Sequence, residues 1–224
     1  MIVSHRHRFI FVTTRKTAGS AIETALAHIC SADDIVTGAA NGTAQTGLND
    51  AVAIARYRPF DWLRLMALGK RARFDKHMPA ADILDLVGAD VWNGYFKFCV
   101  ERDPWDKAVA LYRSRMKRGS PPIAQFLRDA KPATLSNFDL YTIDGTLAVD
   151  RVVRYEHLDA ELDSIGHLLD LPIELRLPAD AARAPIVRYA DALGPDGRAI
   201  VDTVCRREIE MFGYAFRETE PDDR

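Results

Sequence analysis

Short apolar runs alternate along the chain with segments whose apolar residues recur at helical spacing. Three runs are rich in aromatic or β-branched side chains and are typical of buried strands. They are Phe9–Val12, residues 95–100 and residues 151–155. Helical spacing follows each run, starting near Ser20, Pro104 and Leu158. The repeated order of strand, polar turn and helix predicts an α/β fold in which helices flank a parallel sheet in three layers.

Other segments extend this pattern. Pro79 suits the first turn of a helix that ends at Gly88. Apolar residues spaced between positions 200 and 212 predict a last helix that stops at Gly213. Residues 60–69 are consistent with one more short helix.

Local signals also mark the start of the first helix and a long connection after it. Ser20, with Glu23 three residues later, predicts a capping box at that start. Residues 31–50 are rich in Gly, Thr, Ala and Asn and show no period, so we expect a surface loop.

Composition narrows the class of protein. A length of 224 residues favours a single domain, residues 1–224. The 30 basic and 32 acidic residues leave a formal charge of -2, which argues against a nucleic-acid partner and makes any anion site local. Cys30, Cys99 and Cys205 lie far apart among apolar neighbours and suit reduced core thiols. Without an apolar stretch long enough to span a membrane, the expected location is the cytoplasm.

The first polar turn, RKTAGSA at residues 15–21, has the composition of an anion site. Backbone N–H groups at a helix N-terminus attract anions, and Lys16 adds a positive charge. Thr17 and Ser20 offer hydroxyl groups, while Ala18 and Gly19 allow close approach to the backbone. A solvent-facing lysine in an ordinary connection is the alternative interpretation.

The second polar turn follows the run at residues 95–100 and carries Arg102 before Pro104. Parallel strands end at the same edge of a sheet, so Arg102 and Lys16 are expected at one edge. A guanidinium there suits bidentate contact with a phosphate.

Together the two turns resemble those of sulfotransferases that use 3′-phosphoadenosine 5′-phosphosulfate, especially the carbohydrate sulfotransferase branch. That family carries PKTGGTS after one strand, which grips the 5′-phosphosulfate, and RNPWDRLVSxY after a later strand, which grips the 3′-phosphate. This chain has RKTAGSA and RDPWDKAVALY at the corresponding places. With the later segments, whose similarity is weaker, the resemblance covers residues 8–26, 75–117, 148–169 and 200–216. The resemblance implies a fold like that of P-loop NTPases.

The resemblance also assigns roles to individual positions. Lys16 matches the lysine that contacts the bridging oxygen, and Arg102 matches the arginine of the 3′-phosphate. The loop around the 5′-phosphate corresponds to Thr17, Ala18, Gly19, Ser20 and Ala21. Arg15 stands where the family has proline, and Ala110 stands where it has a serine that contacts the 3′-phosphate.

The implied activity is transfer of a sulfonate group to an acceptor hydroxyl on a carbohydrate or small metabolite, with 3′-phosphoadenosine 5′-phosphate as the product. No metal is expected, because the transferred group carries less charge than a phosphoryl group. His77 is the candidate base, with Glu23 as the alternative. Arg183 and Arg188 are candidates for a late basic loop over the 3′-phosphate.

Two other functions stay open. Arg15 and Ala110 depart from the family pattern, as expected for a protein that binds the nucleotide but has lost turnover. A nucleotide-dependent kinase is the third option. It is disfavoured because the Walker A lysine follows its glycines, whereas Lys16 precedes a single glycine.

Overall fold

A five-stranded sheet forms the centre of the protein. The computed structural model describes residues 1–31, 33–37, 74–172 and 189–218. The described strands are, in chain order, β1 (Ile2–Ser4), β2 (Phe9–Val12), β3 (Ile35–Val36), β4 (Phe96–Glu101), β5 (Thr142–Ile143), β6 (Thr146–Leu147) and β7 (Arg151–Arg154). The sheet has the strand order β3-β1-β2-β4-β7, and β5 and β6 form a separate hairpin.

Helices follow strands β2, β4 and β7 along the described chain. The described helices are α1 (Gly19–Ala27), α2 (Ala80–Val87), α3 (Ala89–Gly94), α4 (Pro104–Arg115), α5 (Ile123–Asp129), α6 (Pro132–Leu135), α7 (Phe138–Tyr141), α8 (Leu158–Leu168), α9 (Tyr189–Val204) and α10 (Arg206–Phe212). Within the described ranges, no helix is long and apolar enough to cross a membrane.

The sheet is parallel on one side and antiparallel on the other. β4 pairs in parallel with both β2 and β7, as the repeated strand and helix pattern predicts. β1 instead runs antiparallel to β2 and β3, so the prediction of a purely parallel sheet is wrong for this side. Only residues 5–8 join β1 to β2. Such a short connection allows a hairpin, whereas a parallel pair needs a crossover of about a dozen residues.

Helices cover both faces of the sheet, which gives the three predicted layers. On one face Phe11 of β2 packs in a cluster with Ile22 of α1 and with α8. On the other face Ile10 lies in a cluster with Ile83 of α2. A third cluster, around Trp105, joins α4, α5 and α9. The three cysteines are free thiols, as their spacing predicts.

Several helix boundaries follow from single residues. Pro79 and Gly88 flank α2 as its caps, as predicted. Pro104 opens α4, and the Asp103 carboxylate accepts hydrogen bonds from the first backbone N–H groups of that helix. Gly213 ends α10 in the left-handed conformation, with φ of 63°.

The capping box predicted for Ser20 and Glu23 is wrong. α1 begins at Gly19, and no side chain caps it. Glu23 is fully buried and pairs with the amino group of Met1 and with Thr13 Oγ1. The Glu23 carboxylate therefore binds groups outside its own helix and does not cap the helix as the local pattern predicts.

The last predicted helix is divided in two. α9 ends at Val204 and α10 begins at Arg206, with Cys205 between them outside helical geometry. α9 itself bends at Gly194, whose φ is 61°, because Pro195 follows and supplies no backbone N–H.

β3 forms inside the segment predicted to be a loop at residues 31–50, because Ile35 and Val36 pair with β1. Most of that segment lies outside the described residues. The predicted helix at residues 60–69 and the two late arginines, Arg183 and Arg188, also lie outside them.

Candidate functional site

The loop between β2 and α1 has an unusual backbone conformation. Lys16 and Ala18 both adopt positive φ, at 61° and 58°. Gly19 is required beside them, since a Cβ atom there would lie 2.6 Å from Thr13 Cγ2. Left-handed residues in such a turn direct successive backbone N–H groups toward a common point, where an anion can bind.

Part of this loop has backbone N–H groups with no partner among the described residues. Ala21 and Ile22 donate to the carbonyl of Ala18, at 2.9 and 3.2 Å, and so begin the helix. No described residue accepts a backbone hydrogen bond from the N–H groups of residues 17–20. The positive end of the α1 dipole adds to their attraction for an anion.

The threonine hydroxyls of the loop hold it to the sheet. Thr14 and Thr17 are buried, and their Oγ1 atoms lie 2.7 Å apart in a hydrogen bond. Thr14 Oγ1 also donates to the carbonyl of Val100 in β4. The Thr17 hydroxyl is thus engaged inside the protein, and its backbone N–H is the group left for an anion.

A cavity of about 580 Å³ opens over this loop. Its described lining comprises Thr14, Arg15, Lys16, Thr17, Ala18, Gly19, Ser20, Ala21, Lys76, His77, Leu111 and Arg115. Four of these residues are lysine or arginine, and no aspartate or glutamate is among them. The protein as a whole is slightly acidic, so an anion site needs a local concentration of positive charge. The cavity lining provides one.

The cations in the cavity influence one another. Burial and the nearby guanidinium groups of Arg115 and Arg102 lower the pKa of Lys16 below its usual value. Burial and Arg115 likewise lower the pKa of Arg15. An anion in the cavity would relieve this repulsion, which favours binding.

His77 lies at the cavity wall in a defined tautomer. Its Nδ1 is 2.9 Å from the carbonyl oxygen of Thr13. A carbonyl only accepts, so Nδ1 carries the proton and Nε2 is left with a lone pair. Burial is the main cause that lowers the His77 pKa, and Arg15 and Lys76 lower it further against the opposing bond to Thr13.

Glu23, the alternative base, is not among the residues that line the cavity. It lies beneath the loop, and Lys76 connects it to the surface. Lys76 Nζ is 2.6 Å from Ser20 Oγ and 3.4 Å from Glu23 Oε2. Glu23 therefore holds the parts of the chain beneath the loop together through its contacts with Met1, Thr13 and Lys76.

The second turn lies beside the first, as predicted. Arg102 Nη1 donates to the carbonyl of Lys16 at 3.2 Å. Arg102 is only 6% exposed, pairs with Asp106 at 2.7 Å and lies 4.2 Å from the ring centre of Tyr155. Its Nη2 has no hydrogen-bond partner among the described residues. Neither Arg102 nor the half-buried Ala110 is among the described lining residues.

Sequence reasoning missed Arg115 and Lys76 as parts of the site. Arg115 follows Leu111 by one helical turn, so both lie on the same face of α4. That periodicity is a signal that could have identified Arg115 once the cavity was known to reach Leu111. Lys76 is adjacent to the candidate base, but its contact with Ser20 spans 56 positions and has no local signature.

A smaller cavity, of about 160 Å³, lies near the ends of β4 and β7. Its lining mixes charges, with Asp103 and Glu156 facing Arg154 and Arg217. Burial raises the pKa of Asp103 to about 6. Across the described ranges, no group of three or more His, Cys, Asp or Glu side chains is arranged to hold a metal ion.

Comparison with known proteins found one similar chain of unknown activity. It is an uncharacterized protein from Archaeoglobus fulgidus, 32% identical over 111 residues. The match spans 47% of this chain and 92% of the archaeal protein. No family model and no solved structure matches the chain.

Proposed function

We propose that this chain, which belongs to the same family as that uncharacterized archaeal protein, is a sulfotransferase. It would move a sulfonate group from 3′-phosphoadenosine 5′-phosphosulfate to a hydroxyl of a carbohydrate or small metabolite. The observation that carries the proposal is the loop at residues 15–21. There, Lys16 and backbone N–H groups that no described residue accepts from line a cavity with no described carboxylate.

The residues fit the 5′ end of such a donor. A phosphosulfate presents two adjacent anionic groups, and residues 17–20 offer one of them backbone N–H groups that no described residue accepts from. Arg15 and Arg115 add positive charge at the same cavity. The donor itself supplies an activated sulfonate attached to a good leaving group.

Lys16 is the residue assigned to the leaving oxygen. Negative charge grows on that oxygen as its bond to sulfur breaks, and a fixed ammonium stabilises charge most where water is excluded. Its left-handed backbone and the bond from Arg102 to its carbonyl hold the lysine in place.

His77 is the residue assigned to the acceptor hydroxyl. Its Nε2 lone pair can take the proton of the hydroxyl, while Nδ1 stays bound to Thr13. The lowered pKa keeps the imidazole neutral near pH 7, which is the form that a base requires.

The 3′-phosphate end fits less completely and favours the second candidate, a nucleotide-binding protein without turnover. Arg102 already uses Nε to pair with Asp106 and one N–H of Nη1 to reach the Lys16 carbonyl, so fewer donors remain for a phosphate. Ala110 offers no hydroxyl. Tight binding of 3′-phosphoadenosine 5′-phosphate without transfer to any acceptor would identify this candidate.

Replacement of Lys16 tests the proposal directly. In Lys16→Ala, transfer of radiolabelled sulfonate from the donor should fall by roughly 100- to 1,000-fold, because one charge at the leaving oxygen is lost. Lys131→Ala removes an exposed lysine outside the cavity and should leave transfer unchanged. Equal rates in Lys16→Ala and the unsubstituted protein would refute the proposed mechanism.

A further inference from the structure

Asn137, which no motif in the sequence marks, touches the loop of the candidate site. It is fully buried at the start of α7. Asparagine at a helix N-cap usually accepts a hydrogen bond from its own helix, but the Asn137 side chain makes no such bond. Ser136 Oγ instead accepts the N–H of Phe138, at 3.1 Å.

The Asn137 side-chain amide bonds to both backbone polar groups of one residue, Arg15. The N–H of Arg15 donates to Asn137 Oδ1 at 3.0 Å, and Asn137 Nδ2 donates to the carbonyl of Arg15 at 3.1 Å. Nδ2 also donates to Glu101 Oε1 at 3.3 Å. These partners fix which side of the amide is oxygen, since one side faces a donor and the other faces acceptors.

The contact lies directly before the strained part of the loop. Lys16 follows Arg15 and has φ of 61°, a conformation that costs energy for any residue with a side chain. Surrounding contacts must therefore hold it there. Asn137 supplies two of them, and it is itself anchored because its backbone N–H donates to Glu208 at 3.0 Å.

We propose that Asn137 is a positioning residue that holds the peptide before Lys16, and thereby keeps Lys16 and the following N–H groups directed at the anion. It acts through Arg15 and does not touch the ligand. An asparagine is needed because an aspartate would place an acceptor against the Arg15 carbonyl and a second charge beside Glu101.

The first test measures the loop without any ligand. In Asn137→Asp and Asn137→Ser, amide hydrogen exchange at Ala21 and Ile22 should become about tenfold faster, because both amides bond to Ala18 in the loop. Ser136→Ala is the control, since it removes a 2.7 Å bond to Glu208 in the same turn but leaves the Arg15 contacts in place. It should lower thermal stability without changing exchange at these two amides.

The second test rests on the proposed function and uses 3′-phosphoadenosine 5′-phosphate as the probe. Its dissociation constant should rise about 10- to 30-fold in both Asn137 variants, as expected for the loss of two hydrogen bonds to the Arg15 backbone, and stay within about twofold in Ser136→Ala. If the unsubstituted protein does not bind the probe, the proposed function fails while the exchange test still decides the role of Asn137.

Three results would overturn the role of Asn137. One is unchanged exchange at Ala21 and Ile22 in both Asn137 variants. Another is an equal acceleration in Ser136→Ala. The third is loss of protection throughout the sheet in both variants, which would show that Asn137 supports the whole fold and has no specific role in the loop.

Discussion

His77 is half-buried beside Arg15 and Lys76, and this setting keeps its imidazole neutral. Burial and the neighbouring cations both disfavour the protonated form, so the pKa lies below 6.5, the ordinary value. A base in this state is ready for proton transfer at neutral pH without a carboxylate partner.

A pH profile tests this assignment. The rate of sulfonate transfer should decline at acidic pH in a limb centred below pH 6.5, because the lowered pKa delays protonation of His77, which inactivates it as a base. In His77→Asn, whose amide can still donate to Thr13, the rate should drop by roughly 100- to 10,000-fold and lose this acidic limb. His167→Asn alters an exposed histidine on α8 and should leave the profile as it was. A limb centred above pH 6.5, or one that persists in His77→Asn, would exclude His77.

Among the elements of the fold, the turn from β2 into α1 has a strained backbone at the candidate anion site. Ala18 caps α1 in the left-handed conformation, with φ of 58° and ψ of 17°, where the resembling family carries glycine. The strain is tolerated because Thr14, Thr17 and Asn137 fix the loop from below. A substitution that relieves the strain at Ala18 should therefore raise the free energy of unfolding.

Replacement of Ala18 measures that cost. Ala18→Gly should raise the free energy of unfolding by about 1 kcal/mol, because glycine adopts positive φ without a Cβ penalty. Ala25→Gly, inside α1, should lower it by about 1 kcal/mol. Denaturant titration of both variants gives the two signs. Destabilisation of equal size in both would show that Ala18 is not strained.

The sequence predicted those parts of the fold whose signals are local. The run at Phe9–Val12 and the proline and glycine around α2 gave the central strand and the helix bounds. β1 was not predicted, because a strand of three residues is too short to show a hydrophobic period. In the candidate site, only the residues that belong to sequence motifs or lie beside them were predicted. Asn137 was not predicted as part of the site, because its contact with Arg15 joins residues 122 positions apart.

At the scale of the whole molecule, a buried ionic cluster connects the sheet to the C-terminal helices. Lys107 of α4 lies 2.8 Å from Glu101 at the end of β4 and 3.7 Å from Glu208 of α10. Burial acts to lower the Lys107 pKa, but the two carboxylates outweigh it and raise the value. The same Glu208 accepts from Ser136 and Asn137, so the cluster reaches the loop of the site.

Neutralising Glu208 should therefore weaken the entire fold. Glu208→Gln replaces a charge next to Lys107 and puts an amide nitrogen or oxygen at Oε2, a buried atom that has no partner among the described residues. We expect a loss of about 3 kcal/mol in the free energy of unfolding. Glu210→Gln, which breaks the exposed pair with Arg206, should leave the free energy of unfolding nearly unchanged. Similar losses in both variants would mean that the buried cluster contributes no more than a surface pair.

In the proposed function, Lys16 and Arg102 hold the two ends of one adenosine bisphosphate. Calorimetric titration with 3′-phosphoadenosine 5′-phosphate and with ADP tests it most directly, because the two ligands carry the same number of phosphates at different positions. We expect 3′-phosphoadenosine 5′-phosphate to bind at least about tenfold more tightly than ADP, and Arg102→Ala to abolish this preference. Equal affinity for the two ligands, or tighter binding of ADP, would contradict the proposed function.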